Sequence, residues 1–155
     1  MLPAIVILFL VSFAPLGETK TTAEWITLVA ESIKECIKEL KLENEFGSTF
    51  SFDKVLNMTK PEEFSANLKC LIKCGAEKLN GQVFSKVDAF IEKDIEITQA
   101  IMKAENVSLK KIVSYLKESK SCNEELRNSG KSDCETYIIY YLCTKKVYDA
   151  VLKMN

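Results

Sequence analysis

Cys70 and Cys74 stand four residues apart in the stretch CLIKCGAEKLN, and Cys134 and Cys143 stand nine apart near the C-terminal end. On an α-helix, a spacing of four puts two side chains about 40° apart in rotation and ~6 Å apart along the axis. Their Cα–Cβ bonds then run nearly parallel, which suits two bonds to different neighbours better than one bond to each other. A spacing of nine corresponds to about 900° of rotation, so Cys134 and Cys143 leave opposite faces of their helix. Such a helix must lie between two other elements and be stapled to each. Zinc would ask for four converging ligands at CxxC or Cys/His spacing, and the chain has no CxxC and no histidine. No metal is expected. The six cysteines read as structural disulfides whose pairing the spacing leaves open.

The missing histidine excludes more than zinc. Serine–histidine and cysteine–histidine nucleophile pairs, HExxH sites and histidine-based phospholipase chemistry all fall away, as does the side chain that ordinarily titrates near neutrality. An enzyme would have to work with a carboxylate pair or a lysine, and nothing in the surroundings of the 22 acidic residues marks two of them out. No catalytic residue and no cofactor is expected, and the chain does not read as an enzyme. Lys and Arg number 21 for a net charge of −1, spread without a basic stripe, so nucleic acid is not an expected partner. Lys110-Lys111 and Lys145-Lys146 read as solvated helix faces.

Cysteines pair in an oxidising compartment, and the N-terminal end agrees with one. MLPAIVILFLVSFAPLG carries no charged side chain, is shorter than a membrane span, and has Pro3 and Pro15 at its edges. Residues 1–19 are expected to be a secretory signal peptide cut somewhere in 14–22, leaving a secreted, soluble helical domain over 20–155. No later apolar run is long enough to span a membrane.

The elements that must hold the cysteines read as helices. From about Thr22 to Leu42, the residues Trp25, Val29, Ile33, Cys36, Ile37 and Leu40 form one apolar stripe. After a loop at Gly47 and the short piece FSFDKVL, Thr59-Lys-Pro-Glu62 has the form of a capping box with Pro61 in the first turn. The helix it opens carries Phe64, Leu68, Leu71 and Ile72, and Asn80-Gly81 stops it. A helix over roughly Lys86–Ala104 shows Val87, Phe90, Ile91, Ile97 and Ile101, and Ser108 caps another with Leu109, Ile112, Val113 and Leu116 on its apolar side. Asn128-Ser-Gly130 is a turn, and Ser132-Asp-Cys-Glu135 is a second box that opens a last helix to about Leu152. Within it, YIIYYLC has strand-like residues, but the box before it and the charged TKKVYDAVLK after it favour helix. The expectation is an all-α, compact bundle of about six helices.

With these elements placed, the cysteine order resembles the six-cysteine signature of insect odorant-binding proteins. The gaps run 33, 3, 47, 11 and 8 residues from Cys36 to Cys143, and the short gaps of 3 and 8 are the tightest parts of that signature. The gap of 47 is long for it and implies an extension around the fourth helix. CGAEKLNGQVF after the third cysteine agrees as well, and the likeness covers the whole chain after the signal. The resemblance implies the interlocked pairs Cys36–Cys74, Cys70–Cys134 and Cys122–Cys143 around an internal apolar cavity. It also implies a carrier that solubilises odorants or pheromones in an extracellular fluid such as sensillum lymph, a monomer or weak homodimer with a membrane chemoreceptor as a candidate partner. Two alternatives keep the same cysteines: a saliva, venom or reproductive-fluid protein sequestering amines or lipids, and a helical effector acting through protein contacts.

A carrier needs an apolar wall with a few polar groups on it. The candidate wall is Phe84, Phe90, Ile91, Ile101, Met102, Ile112, Leu116, Tyr137, Ile138, Tyr141 and Tyr148, with tyrosine hydroxyls to orient an alcohol, aldehyde or ester. Only 12 residues follow Cys143, so pH-dependent release is expected to use carboxylates such as Asp149 or to be absent. Amine binding would need acidic residues turned inward. Asn57-Met-Thr59 and Asn106-Val-Ser108 fit the N-glycosylation pattern.

Overall fold

The computed structural model describes residues 20–47 and 50–154; the expected signal peptide over 1–19 lies outside them. All the regular structure among the described residues is helical. The helices are α1 (Thr22–Glu39), α2 (Glu43–Phe46), α3 (Phe52–Asn57), α4 (Ala66–Asn80), α5 (Val87–Ala104), α6 (Leu109–Glu118), α7 (Lys120–Ser129) and α8 (Cys134–Leu152), with a 3-10 turn at Pro61–Glu63. Six of these, α1 and α4 to α8, have ten residues or more. No helix among the described residues is long and apolar enough to cross a membrane.

The ends of the helices follow local chemistry, with some displacement from expectation. Thr21 and Glu24 form a full capping box on α1, Glu24 Oε2 accepting from the Thr21 backbone N–H at 2.6 Å. At the other end Lys41 takes a left-handed φ of 56° and the Leu42 N–H donates to Ile37 O at 2.8 Å, so α1 stops before Leu40 can turn inward. Leu40, expected on the buried stripe, is 39% exposed. The box expected at Thr59–Glu62 does not start a long helix. Glu63 accepts from the backbone N–H groups of Thr59 and Lys60, which closes the 3-10 turn. Phe64 then goes extended to reach the ring of Tyr141, and α4 begins afresh with Ser65 accepting from the Leu68 N–H at 3.2 Å. The last helix is likewise capped one residue later than expected, by Asp133 rather than Ser132, with Asp133 Oδ1 accepting from the Thr136 N–H at 2.7 Å. Gly81 and Gly130 sit at φ 60° and 61°: the first is the helix stop read from Asn80-Gly81, and the second, in the turn read at Asn128-Ser-Gly130, ends α7.

Disulfides set the arrangement. Cys36–Cys74 ties α1 to α4, Cys70–Cys134 ties α4 to α8, and Cys122–Cys143 ties α7 to α8. This is the pairing the resemblance implies, and α8 lies stapled between two neighbours as its spacing of nine requires. α1 packs on α4 and α4 on α8, while α6 and α7 cover the rest of α8. Gly75 permits the close approach of α1, since a Cβ there would stand 2.6 Å from Ile33 Cδ1. Helices α5 and α6 carry no cysteine, so only packing and polar contacts hold them. On α6, Leu109 and Val113, expected on the apolar side, are 72% and 55% exposed; Ile112 is buried as expected, and Tyr115 joins it in the core. The periodicity admitted either face, and Tyr115 packing edge-on against Tyr148 of α8 decides it.

Candidate functional site

The inner faces of α5, α6 and α8 meet in a tyrosine-rich interior. Phe84, fully buried, reaches it from the loop after α4, and Glu77 holds that loop down: Glu77 Oε1 accepts from the Phe84 N–H at 2.7 Å and from Lys73 Nζ at 2.9 Å. The Phe84 ring is thereby set against Phe90 and Tyr137, centroids 5.1 and 5.2 Å away and edge-on. Phe90 also meets Tyr137 and Tyr140, at 6.1 and 6.4 Å. Farther along α8, Tyr148 and Tyr115 pack at 6.0 Å.

Against this aromatic region lies a half-buried carboxylate. Asp94 Oδ2 accepts from Tyr140 Oη at 2.8 Å, joining α5 to α8 across 46 residues of sequence. Burial pushes the Asp94 carboxyl up from 3.8 to about 7, and the hydrogen bond from Tyr140 offsets only part of that. Desolvation also holds the phenols of Tyr115, Tyr137 and Tyr140 well above their ordinary value, with the negative charge of Asp94 adding to it. All three remain neutral hydrogen-bond donors at neutral pH. One turn on from Asp94, the hydroxyl of Thr98 is 1% exposed and lies by the Tyr115 phenol without a hydrogen bond of normal geometry. The buried Tyr148 hydroxyl has no hydrogen-bond partner among the described residues. Glu105, at the end of α5, acts on that phenol from the same side, and burial raises the Glu105 carboxyl too.

The eleven wall residues read from the sequence are distributed over more than one surface. Phe84, Phe90 and Tyr137 come together, and Ile91, Ile101, Met102, Ile112 and Ile138 are buried around them in one continuous core. Tyr148 belongs with Tyr115, Tyr141 turns to Phe64, and Leu116 is half-buried. Asp94, Thr98, Tyr115 and Tyr140 were not among the eleven. A signal for Asp94 was present: it falls in step with Phe90, Ile91, Ile97 and Ile101, the one ionisable side chain in an otherwise apolar stripe. Asp149, the example given of a carboxylate for pH-dependent release, pairs with the buried Lys145 at 2.8 Å, while burial raises the Asp94 carboxyl to about 7.

Two concavities lie outside this interior. One of about 260 Å³ runs between α7 and α8, over the Cys122–Cys143 bridge, Leu126, Ile139 and the ring of Tyr140. Another of about 350 Å³ is bounded by Phe46, Phe50, Val55, Met58 and Leu68. Neither is lined by any of the eleven wall residues. Cys36, Glu39 and Cys74 bring three potential metal-ligand atoms within 4.8 Å, but both sulfurs are committed to a disulfide and offer no thiolate. Asn57 and Asn106 are both exposed; Asn57 Nδ2 donates to Asp53 O at 2.8 Å, and Asn106 holds a left-handed φ of 57° at the end of α5.

Comparison with protein-family models, curated proteins and solved structures returns no match for this chain.

Proposed function

We propose that this protein is a secreted, non-enzymatic carrier that holds a small, mainly apolar ligand in the interior between α5, α6 and α8. The observation that carries the reading is the polar content of that interior. The Tyr148 hydroxyl is buried without a hydrogen-bond partner among the described residues and the Thr98 hydroxyl meets only the Tyr115 phenol, although folded proteins satisfy the great majority of such groups. An oriented ligand bearing an oxygen or nitrogen would satisfy them while its apolar body rests on Phe84, Phe90 and Tyr137. The staple frame supports the same reading: it fastens α1, α4, α7 and α8 to one another and leaves α5 and α6, which supply Asp94, Thr98 and Tyr115, free to yield as a ligand enters. The cysteine order resembles that of odorant-binding proteins, which agrees with work in an extracellular fluid and delivery to a chemoreceptor.

The test is displacement of an environment-sensitive apolar dye from the oxidised protein by a panel of volatile alcohols, esters, fatty acids and amines. Micromolar displacement that is lost on reducing the disulfides is the expected result. A folded, oxidised protein that binds neither dye nor any member of the panel would overturn the carrier reading.

A further inference from the structure

We propose that Asp94 is the counter-ion of a protonated amine, and that the ligand class of this interior is a small amine with an apolar, aromatic body. The inference rests on the carrier reading above and names its ligand.

Asp94 lies in the apolar stripe of α5, and among the described ion pairs none reaches it. Four cations on the surrounding elements are engaged elsewhere. Lys93 on α5 pairs with Glu96, Arg127 on α7 with Asp88, Lys73 on α4 with Glu77, and Lys145 on α8 with Asp149, at 2.9, 2.7, 2.9 and 2.8 Å. The groups that act on Asp94 or feel its charge are Tyr115 from α6 and Tyr137 and Tyr140 from α8. Tyr140 occupies Oδ2, and the carboxylate has a second oxygen for an incoming donor.

An interior of this kind discriminates by charge. A half-buried carboxylate without a cation keeps part of its desolvation cost, and a protonated amine supplies the cation together with charge-assisted hydrogen bonds. A neutral alcohol can hydrogen-bond to Asp94 or Thr98 but leaves the charge uncompensated. A fatty-acid carboxylate would bring a like charge to Asp94 and is disfavoured. The carboxyl, held up to about 7 by burial, is drawn down when the ammonium arrives, so amine affinity grows as the pH rises toward and past neutrality.

Two probes of one shape separate these possibilities: 2-phenylethylamine and 2-phenylethanol, titrated calorimetrically into the oxidised protein. At about pH 8 the amine is expected to bind on the order of tenfold or more tightly than the alcohol. Lowering the pH to about 5.5 is expected to erase that preference by weakening the amine alone, since Asp94 is then protonated. Asp94→Asn is expected to remove the preference at every pH by weakening the amine, which loses its counter-ion. Equal binding of the two compounds by the wild type, binding of the alcohol alone, or an amine preference that survives in Asp94→Asn would overturn the proposal with the carrier reading intact. Binding of neither probe overturns the proposal, and the carrier reading falls with it only if the dye panel is silent as well. The wild-type pH series decides the matter even should the variant fold poorly.

Discussion

Replacing Asp94 by asparagine should make the ligand-free protein more stable at alkaline pH and change the shape of its pH–stability curve. The reasoning starts from proton linkage. Asp94 titrates near 3.8 in an unfolded chain and at about 7 in the fold, so between those values the folded state holds a proton that the unfolded state has released. The favourable contribution is therefore complete below about pH 4 and is lost as the pH rises through about 7. At about 1.36 kcal/mol per pH unit the full span corresponds to roughly 4 kcal/mol. The Asp94 residue keeps partial exposure, and solvent reaching it brings the working figure to about 2–4 kcal/mol. The substituted amide is neutral throughout, and its oxygen can still accept from Tyr140, so the variant keeps the contact and loses the ionisation. Urea unfolding, followed by the fluorescence of the single and buried Trp25, would be measured from about pH 4 to about pH 8. Other carboxylates, such as Glu24, Glu63 and Asp133, are held below their ordinary values by backbone N–H groups and lose their contribution as the pH falls, but they do so equally in both proteins. The difference curve isolates Asp94. A difference between variant and wild type that stays flat from about pH 4 to about pH 8 would refute the argument, because desolvation of Asp94 must raise its carboxyl in the fold.

Tyr140→Phe removes the one hydrogen bond that lowers the Asp94 carboxyl, so the Asp94 titration midpoint, followed by carboxyl carbon NMR, should move above its wild-type value; an unmoved midpoint would mean that the bond at 2.8 Å does not form in solution. Removing Cys70–Cys134 by paired alanines should lower stability by about 1 kcal/mol more than removing Cys122–Cys143, because the first bridge closes a separation of 64 residues and the second only 21. Thermal unfolding of the two double variants checks the order, and the reverse order would show that native packing, rather than loop closure, dominates. Asp133→Ala should cost about 1 kcal/mol near neutral pH through loss of the α8 cap. Because the Thr136 N–H holds the Asp133 carboxyl below its ordinary value, that cost should shrink as the pH falls through the folded-state midpoint, and a cost that persists unchanged in acid would contradict it.

Much of the framework was legible before any tertiary contact. α1, α4 and α5 have their apolar stripes in the residue spacing, and Ser108 and Gly81 mark a helix start and a helix end where they were expected. α7 escaped because it follows α6 directly, with Ser119 serving as the end of one helix and the cap of the next. The displaced starts at Ser65 and Asp133 have a common cause. Several cap-competent residues lie together there, and which one accepts depends on where the chain arrives from its previous contact: Phe64 reaching Tyr141 in the first case, Cys134 bonded to Cys70 in the second.

The candidate site divides differently. Phe84, Phe90 and Tyr137 were accessible as apolar residues at inward positions, because burial of large apolar groups is the common fate of such a stripe. Which aromatic ring touches which was not, and Tyr115 and Tyr140 were overlooked in favour of neighbours one to three residues away. On a helix as apolar as α8, nearly every direction is a candidate for burial and periodicity loses its power to choose.

By itself, then, the sequence determined the local chemistry: helices from periodicity, their stops from glycine and capping side chains, and the need for disulfides from six cysteines without histidine. These are interactions among residues a few positions apart, whose geometry an α-helix sets in advance. Tertiary structure alone decided the electrostatics. An aspartate four residues from a phenylalanine and three from an isoleucine can point to water or to the core. Asp94 titrates near neutrality only because α6 and α8, brought in from distant sequence, close over it with three phenols and, among the described residues, no ion-pair partner.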